Sequence, residues 1–576
     1  MKQEKGSTTP LAHSHATNLS FLLILGLILL VPAAMYAPLI DRDEPRFSQA
    51  TVEMMDRHDW IIPTFNQQFR FDKPILTYWM MRFSYMALGI NEFAARLHTI
   101  VSTLLTALVL YWIGFRWFGN KRVGLLAGLS YLTTLQVLLH GRLAVADAPM
   151  ILGVVLVHIA LYELIIKKRT SEVYPWKWFG LLYGGMAFGF LAKGPIIVFV
   201  PILTLLLYRF VFRRKPIEKT WLTLKPILGL SIATLIVAAW GIPALIITKG
   251  GFWAEGINEH IVKRGTEAFN GRTFLFVFYL ITFWISFFPW STKFIPMIAN
   301  LRYHYDVRHA FLLAWFISPL LIFTFYATQL PHYILPGFPA LCLLFGAYIE
   351  SGKTLSARVK SISSFSTWLL VGLISLIPIT FLSFCLFLPF PEKWIPLQKC
   401  LLGFSVGLLG IIALTFQANM RTYWLILGAC TLSSLGFAFG VASIKPTVPA
   451  LQLKEHMRSM PENTRFFGYR YFEPSLIFYS NRLWNEPQSL DAITALAFSQ
   501  RGPTFFVLRE REWNLGDFWK HLTGQDIFPK PAELQHHQSL GEAIDQLTSN
   551  GYQQKTIEGL NLGRTSWVKL HILWRE

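Results

Sequence analysis

The sequence predicts a polytopic α-helical membrane protein of about thirteen transmembrane helices followed by a C-terminal soluble α/β domain. Three observations carry this reading. Of the 576 residues, 53% are hydrophobic and only 15% charged, with a mean hydropathy of +0.42, too apolar for a soluble chain of this length. Apolar runs of span length recur from the N-terminal region to Ser443, and beyond that point apolar density falls while Asn, Gln and Glu rise. The formal charge of +19 comes from basic residues concentrated in short loops between apolar runs, which is the mark of membrane topology and argues against nucleic-acid binding.

The expected spans run Leu19–Ile40, Ala94–Trp117, Val123–Leu139, Leu143–Ile166, Trp178–Ala192, Pro195–Phe212 and Leu224–Thr248. They continue with Thr273–Ser291, Ala310–Ala327, His332–Glu350, Phe365–Leu388, Leu401–Gln417 and Tyr423–Ser443. The short pairs around Arg142 and Lys193 also read as single broken segments, which would lower the count by one or two. Alternate loops carry Lys121 and Arg122, Lys167 to Arg169, Arg213 to Lys219, Arg302 and Arg308, Lys353 to Lys360, and Arg421. The positive-inside rule makes that side cytoplasmic, so the N-terminus lies inside and the C-terminal domain outside. The small residues Ala33 and Ala34 leave a cleaved signal peptide as an alternative, against which stands the span length of the first apolar run. The four cysteines lie in or beside apolar segments without metal-type spacing and read as core residues.

The membrane domain is expected over residues 1–444, with an outer loop at 41–93, and the C-terminal domain over 445–576. Two amphipathic stretches in the outer loop, Glu44–Asp56 and Ile75–Leu88, read as interfacial helices. In the C-terminal region, TRFFGY and TFFVLR read as strands, Asp491–Phe498 and Leu540–Thr548 as helices. No phosphate-cradling GxxxxGKT occurs, and no nucleotide cofactor is expected.

The outer face gathers the ionisable residues. DRDEPRF follows the first span, with Asp41, Asp43 and Glu44 decorating a helix start, where the dipole also favours acids for purely structural reasons. Asp147 in RLAVADAPM sits at the outer end of a membrane segment, where a carboxylate is by default a functional hypothesis. Lys193 in FLAKGPI, His260, Lys263 and Arg264 in NEHIVKR, and His332 with Tyr333 in QLPHYILP fall on the same side. Cations of this kind suit a phosphate, and carboxylates suit base or metal-ligand roles, so the pattern fits a substrate that is part lipid and part anion. A transporter would place its charges nearer the midplane.

The ordered motifs DEPRF, DWIIPTFN, FRFDKPILTYW, AARL, ADAP, LAKGP, EHIVKR and LPHYILPGFPAL resemble the pattern of lipid A aminoarabinose transferases. These belong to the polyprenyl-phosphate-dependent glycosyltransferases of the GT-C fold, relatives of protein O-mannosyltransferases. The resemblance runs from about Asp43 to Glu350, and more loosely through FFGYRYFEPSLIFYSNR. It implies an inverting glycosyltransferase of the bacterial inner membrane, acting on the periplasmic face. The donor would be an undecaprenyl-phosphate-linked sugar and the acceptor lipid A or another envelope molecule. By position, the resemblance makes Asp43, Glu44 and Asp147 the catalytic candidates. Arg46, Lys73, Lys193, Arg264 and Tyr333 become candidates for the donor phosphate and its lipid. Asp72 and His260 match a pair implicated in divalent-metal binding, although the family's FEKP reads FDKP here. Structural alternatives stand beside each: local ion pairs for Arg46 and Lys73, an interfacial aromatic for Tyr333, a snorkelling lysine for Lys193. A protein O-mannosyltransferase and a transporter or flippase remain the competing functions.

Overall fold

The structure is a computed structural model and describes residues 14–166, 174–213, 223–267, 276–351, 356–387, 395–417, 422–499, 502–514 and 531–576. The first nine helices are α1 (His15–Tyr36), α2 (Asp43–Asp56), α3 (Leu76–Leu88), α4 (Glu92–Phe118), α5 (Lys121–Leu132), α6 (Leu135–His140), α7 (Asp147–Leu161), α8 (Trp176–Lys193) and α9 (Ile196–Leu207). Among the described residues, nine helices are long and apolar enough to cross a membrane, including α1, α4 and α7 with its continuation to Ile166. The other four expected segments are helical but shorter, interrupted or, in the case of α8, less apolar. Val123–Leu139 divides into α5 and α6; Trp178–Ala192 is α8, and Pro195–Phe212 is α9 with its continuation. Thr273–Ser291, described from residue 276, holds a helix at Phe278–Ser286 and the start of a 3-10 turn at Trp290–Lys293.

Local chemistry sets the helix ends. Asn91 caps α4 by accepting from the Ala94 N–H at 2.8 Å, and Gly119 closes it with a φ of 69°. Asn120 then caps α5 by accepting from the Arg122 N–H at 2.8 Å. The returning pair packs closely because Gly114 faces Gly124, where an added Cβ would lie 2.5 Å from the neighbour's Cα. The break between α5 and α6 is tolerated in the membrane region because neighbours satisfy it: the Leu135 N–H donates to Phe288 O at 2.8 Å, and Trp290 Nε1 donates to Thr133 Oγ1 at 2.9 Å.

After the helix Thr422–Ile444 the chain forms a five-stranded mixed sheet. Numbering continues from the small hairpin β1 (Thr64–Phe65) and β2 (Gln68–Phe69) in the first outer loop. The sheet strands are β3 (Arg465–Tyr469), β4 (Trp484–Asn485), β5 (Thr504–Asn514), β6 (Gln553–Asn561) and β7 (Ser566–Arg575), in the order β4-β3-β5-β7-β6. β3 runs parallel to β4 and β5, and the remaining pairs are antiparallel. The expected strands TRFFGY and TFFVLR are β3 and the start of β5.

The outer-loop helices α2 and α3 form where the amphipathic pattern places them, but α2 does not lie on a lipid surface. Its stripe of Phe47, Ala50 and Met54 is buried in one apolar cluster with α3 and with Leu476, Ile477 and Phe505 of the C-terminal region. Polar contacts tie the same interface. The Leu39 N–H donates to Tyr479 Oη at 3.1 Å, and Asn66 exchanges two hydrogen bonds with the Trp484 backbone at 2.8 and 3.0 Å. An amphipathic helix has the same sequence pattern whether membrane or protein covers its apolar face.

Candidate active site

A cavity of about 1100 Å³ opens where the helix ends, the first outer loop and the C-terminal domain meet. Asp43, Arg46, Asp72, Lys73, Asp147, Lys193 and Tyr333, seven of the residues expected from the sequence, all line it.

The floor is built from membrane helices. Asp147 begins α7 and Lys193 ends α8, and Lys193 Nζ donates to Asp147 Oδ1 at 2.5 Å. Lys193 also stands 5.7 Å from the centroid of the Tyr333 ring, a cation-π arrangement that fixes both groups. His332, the residue before Tyr333, lines the same floor with its ring 4.5 Å from that of His140.

The loop after β2 supplies the basic wall. Arg70 is held on three sides: Nε donates to Tyr78 Oη at 3.0 Å, Nη2 to Asp72 Oδ2 at 2.8 Å, and the guanidinium lies 5.0 Å from the Phe47 ring centroid. Lys73 Nζ donates to the other Asp72 oxygen at 2.9 Å. Burial alone would lower the Arg70 pKa, but Tyr78 and Asp72 outweigh it and hold Arg70 above its ordinary value. Burial, with Arg70 beside it, pulls Arg46 below the usual guanidinium range. Arg46 forms no hydrogen bond among the described residues and stands ready for an anion. Sequence reading passed over Arg70, although it stands two residues before Asp72 in FRFDKP.

Among the described residues, four aspartates line the cavity. Asp72 and Asp147 are ion-paired, and Asp41 accepts from Ser475 N–H at 2.8 Å and Ser475 Oγ at 2.6 Å. Asp43, at the exposed first turn of α2, is the one of the four with neither a hydrogen bond nor an ion pair among the described residues. Burial pushes the Asp41 carboxyl up to about 7, Ser475 pulling the other way.

Glu44 lies elsewhere. One helical residue from Asp43, it points about 100° away and is 2% exposed. Arg96, 1% exposed, donates to it through Nε and Nη2 at 2.7 Å each, and the backbone N–H groups of Ile40 and Ala144 donate at 2.8 and 2.6 Å. Its carboxylate is fully used in joining α1, α2, α4 and the segment before α7, so the structure gives it a scaffolding place outside the cavity. The side chains of His260 and Arg264 lie outside the described residues.

The metal expectation meets a filled carboxylate. Both oxygens of Asp72 are taken by Arg70 and Lys73, and a divalent cation there would have to displace two positive charges. As placed, Asp72 does not fit a metal.

On the apolar side the cavity is lined by Ile196 and Phe199 of α9 and by Ile322 and Phe323 of the helix Val307–Thr324. Phe199 is 55% exposed, so this side of the cavity presents open apolar surface next to the basic wall.

A family model described as dolichyl-phosphate-mannose-protein mannosyltransferase matches residues 72–242. The undecaprenyl phosphate-α-4-amino-4-deoxy-L-arabinose arabinosyl transferase of Aeromonas hydrophila is 31% identical over 362 residues, covering 60% of this chain and 62% of that protein. The enzyme of the same name from Pectobacterium atrosepticum is 28% identical over 340 residues, 58% of this chain and 59% of its own length. The matched stretch thus spans somewhat more than half of these relatives. The crystal structure of ArnT from Cupriavidus metallidurans bound to undecaprenyl phosphate superposes with a TM-score of 0.72 at 17% identity, over 96% of this chain and 97% of that one. The chain thus has the GT-C membrane fold of that structure, and over somewhat more than half of its length its sequence is similar to the named arabinosyl transferases.

Proposed function

We propose that this chain is a glycosyltransferase of the bacterial inner membrane that moves a sugar from an undecaprenyl-phosphate carrier to lipid A on the periplasmic face. The observation that supports it best is the pairing, in one cavity, of a basic wall at Arg46, Arg70, Lys73 and Lys193 with an apolar side lined by Ile196, Phe199, Ile322 and Phe323 of two membrane helices. A polyprenyl phosphate needs both at once. The curated relatives carry that donor in their names. The cavity side is read as periplasmic because the basic loops lie at the opposite helix ends, which puts the N-terminus inside and residues 445–576 outside.

In the reaction, the bond between the anomeric carbon and the phosphate oxygen breaks as the acceptor oxygen forms its own bond from the opposite side, inverting that centre. The phosphate gains a negative charge on leaving. Arg46 has an uncommitted guanidinium to meet that charge, and Arg70 is prepositioned by Tyr78, Asp72 and Phe47, so little reorganisation is needed at that moment. Asp72 serves this account by ordering Arg70 and Lys73, and no step runs through a metal. If the acceptor is a lipid A phosphate, the nucleophile is already an anion, and Asp43 orients it or steadies positive charge on the sugar ring. With a hydroxyl acceptor, Asp43 is the general base. Asp147 acts through Lys193, which it holds against Tyr333.

The matched mannosyltransferase model favours a protein hydroxyl as the second reading. Mass spectrometry of lipid A and envelope proteins, comparing cells lacking the chain with cells expressing it, separates the two. A sugar mass gained on lipid A only when the chain is present is expected. The same gain on a protein, with lipid A unchanged, would replace the acceptor.

A further inference from the structure

Among the described residues, the C-terminal domain reaches the cavity through the turn between β6 and β7. Gly563 at that turn sits so close to the first outer loop that a Cβ there would lie 2.5 Å from Asp41 O, and Arg564 lines the cavity beside it, as does Arg42. The turn is fixed from within: Asn561 Oδ1 accepts from the N–H groups of Gly563 and Arg564 at 3.1 and 3.2 Å, and Asn561 Nδ2 donates to Glu473 Oε1 at 3.0 Å. Arg564 donates through Nε to the same Glu473 oxygen at 2.7 Å, yet its side chain stays 38% exposed. Its two terminal nitrogens form no hydrogen bond among the described residues. A guanidinium steered by a buried carboxylate through Nε, with its fork left open toward a cavity, is arranged to take an anion in two-pronged fashion.

The donor phosphate already has Arg46, Arg70, Lys73 and Lys193, all on the membrane helices or the first outer loop. A second anion site at the domain side of the same cavity calls for a second anionic group. We propose that Arg564 binds a phosphate of the acceptor other than the group that receives the sugar, and so makes the C-terminal domain a part of the acceptor subsite. This rests on the glycosyl-transfer reading above, with a phosphorylated lipid as acceptor.

The test uses the full chain in lipid nanodiscs, with Arg564→Gln and Arg564→Lys beside the unaltered protein. Transfer is measured to a phosphorylated lipid A acceptor and to the same acceptor dephosphorylated at the modified position's partner phosphate, with undecaprenyl phosphate binding measured separately. Arg564→Gln is expected to raise the acceptor KM at least about tenfold, to leave undecaprenyl phosphate binding unchanged, and to respond no further when the acceptor phosphate is removed. Arg564→Lys keeps a charge next to Glu473, so it preserves the fold if the Gln form is lost, and is expected to fall between the two. An unchanged acceptor KM in an active Arg564→Gln protein, or an equal weakening of undecaprenyl phosphate binding, would overturn the assignment while leaving the transferase reading intact. No transfer by the unaltered chain would instead bring down that reading and the assignment with it.

Discussion

Glu44 shares a motif with Asp43 yet is built into the scaffold, and the difference is measurable. Replacing Glu44 with Gln removes the negative charge facing Arg96, which is 1% exposed and has no solvent to turn to. The remaining partners of Arg96 are the carbonyl oxygens of Ala34, Ala37 and Pro38, at 2.6 to 3.0 Å. These satisfy hydrogen bonds but do not neutralise the cation. Removing one member of a buried pair is destabilising by about 3–5 kcal/mol, a large share of the roughly 5–15 kcal/mol by which folded domains are stable. Gln can still accept one of the backbone N–H groups of Ile40 and Ala144, so the lower end of that range is expected for Glu44→Gln and the upper end for Glu44→Ala. The assay is thermal unfolding in detergent, followed by loss of the monodisperse peak, beside transfer activity per folded molecule. A lowered midpoint with activity per folded molecule largely kept is expected, and a double Glu44→Leu, Arg96→Met chain should recover part of the loss. An unchanged midpoint with activity abolished would refute the scaffolding role and return Glu44 to the chemistry.

Arg70→Ala is expected to weaken undecaprenyl phosphate binding by about 1.5–3 kcal/mol, measured by equilibrium binding, while Arg70→Lys recovers only part of it. Asp147→Asn frees Lys193 from its partner and is expected to lower kcat more than it changes donor KM; equal effects would show that Asp147 contacts the donor itself. Asp72→Asn should cut transfer by loosening Arg70 and Lys73, and chelation of divalent cations should leave the rate of the intact chain unchanged; inhibition by a chelator, reversed by a metal, would show that Asp72 gives up its cations. Asp41 has a folded pKa raised to about 7, so between about pH 4 and pH 7 the folded chain holds more protons at this group than the unfolded chain does. Stability from this group is therefore greatest at low pH and declines as pH rises to about 7. The difference in thermal midpoint between the intact chain and Asp41→Asn should follow that decline, and a pH-independent difference would contradict it.

What the sequence made legible were the groups that share a motif and a face. Asp43 and Arg46 lie three residues apart and so fall on one side of α2, while Asp147 and Lys193 stand at adjoining ends of neighbouring helices, so topology alone brought them together. Glu44 was misplaced because adjacent helical residues face different directions, and the motif carries no sign of Arg96, which lies 52 residues away. Arg70 was passed over because its role depends on Tyr78 and Phe47, contacts that arise only once α2 and α3 pack together. Arg564 is further still from legibility: Asp41, against whose backbone its neighbour Gly563 packs, comes from the opposite end of the chain. Hydropathy located the helical segments, but it does not register that α5 and α6 can break in the middle of the bundle when Trp290 and Phe288 satisfy the backbone and Thr133 there.

Asp43, the aspartate of this cavity with no hydrogen bond or ion pair among the described residues, is expected to act on the reacting groups of a polyprenyl-phosphate sugar. The direct measurement is transfer from an undecaprenyl-phosphate sugar to lipid A by the purified chain and by Asp43→Asn in lipid nanodiscs, with undecaprenyl phosphate binding measured on the same samples. Transfer by the intact chain, lowered at least about a hundredfold in Asp43→Asn with carrier binding kept, is the expected result. Full transfer by Asp43→Asn would contradict it and move the chemistry to another group in the cavity.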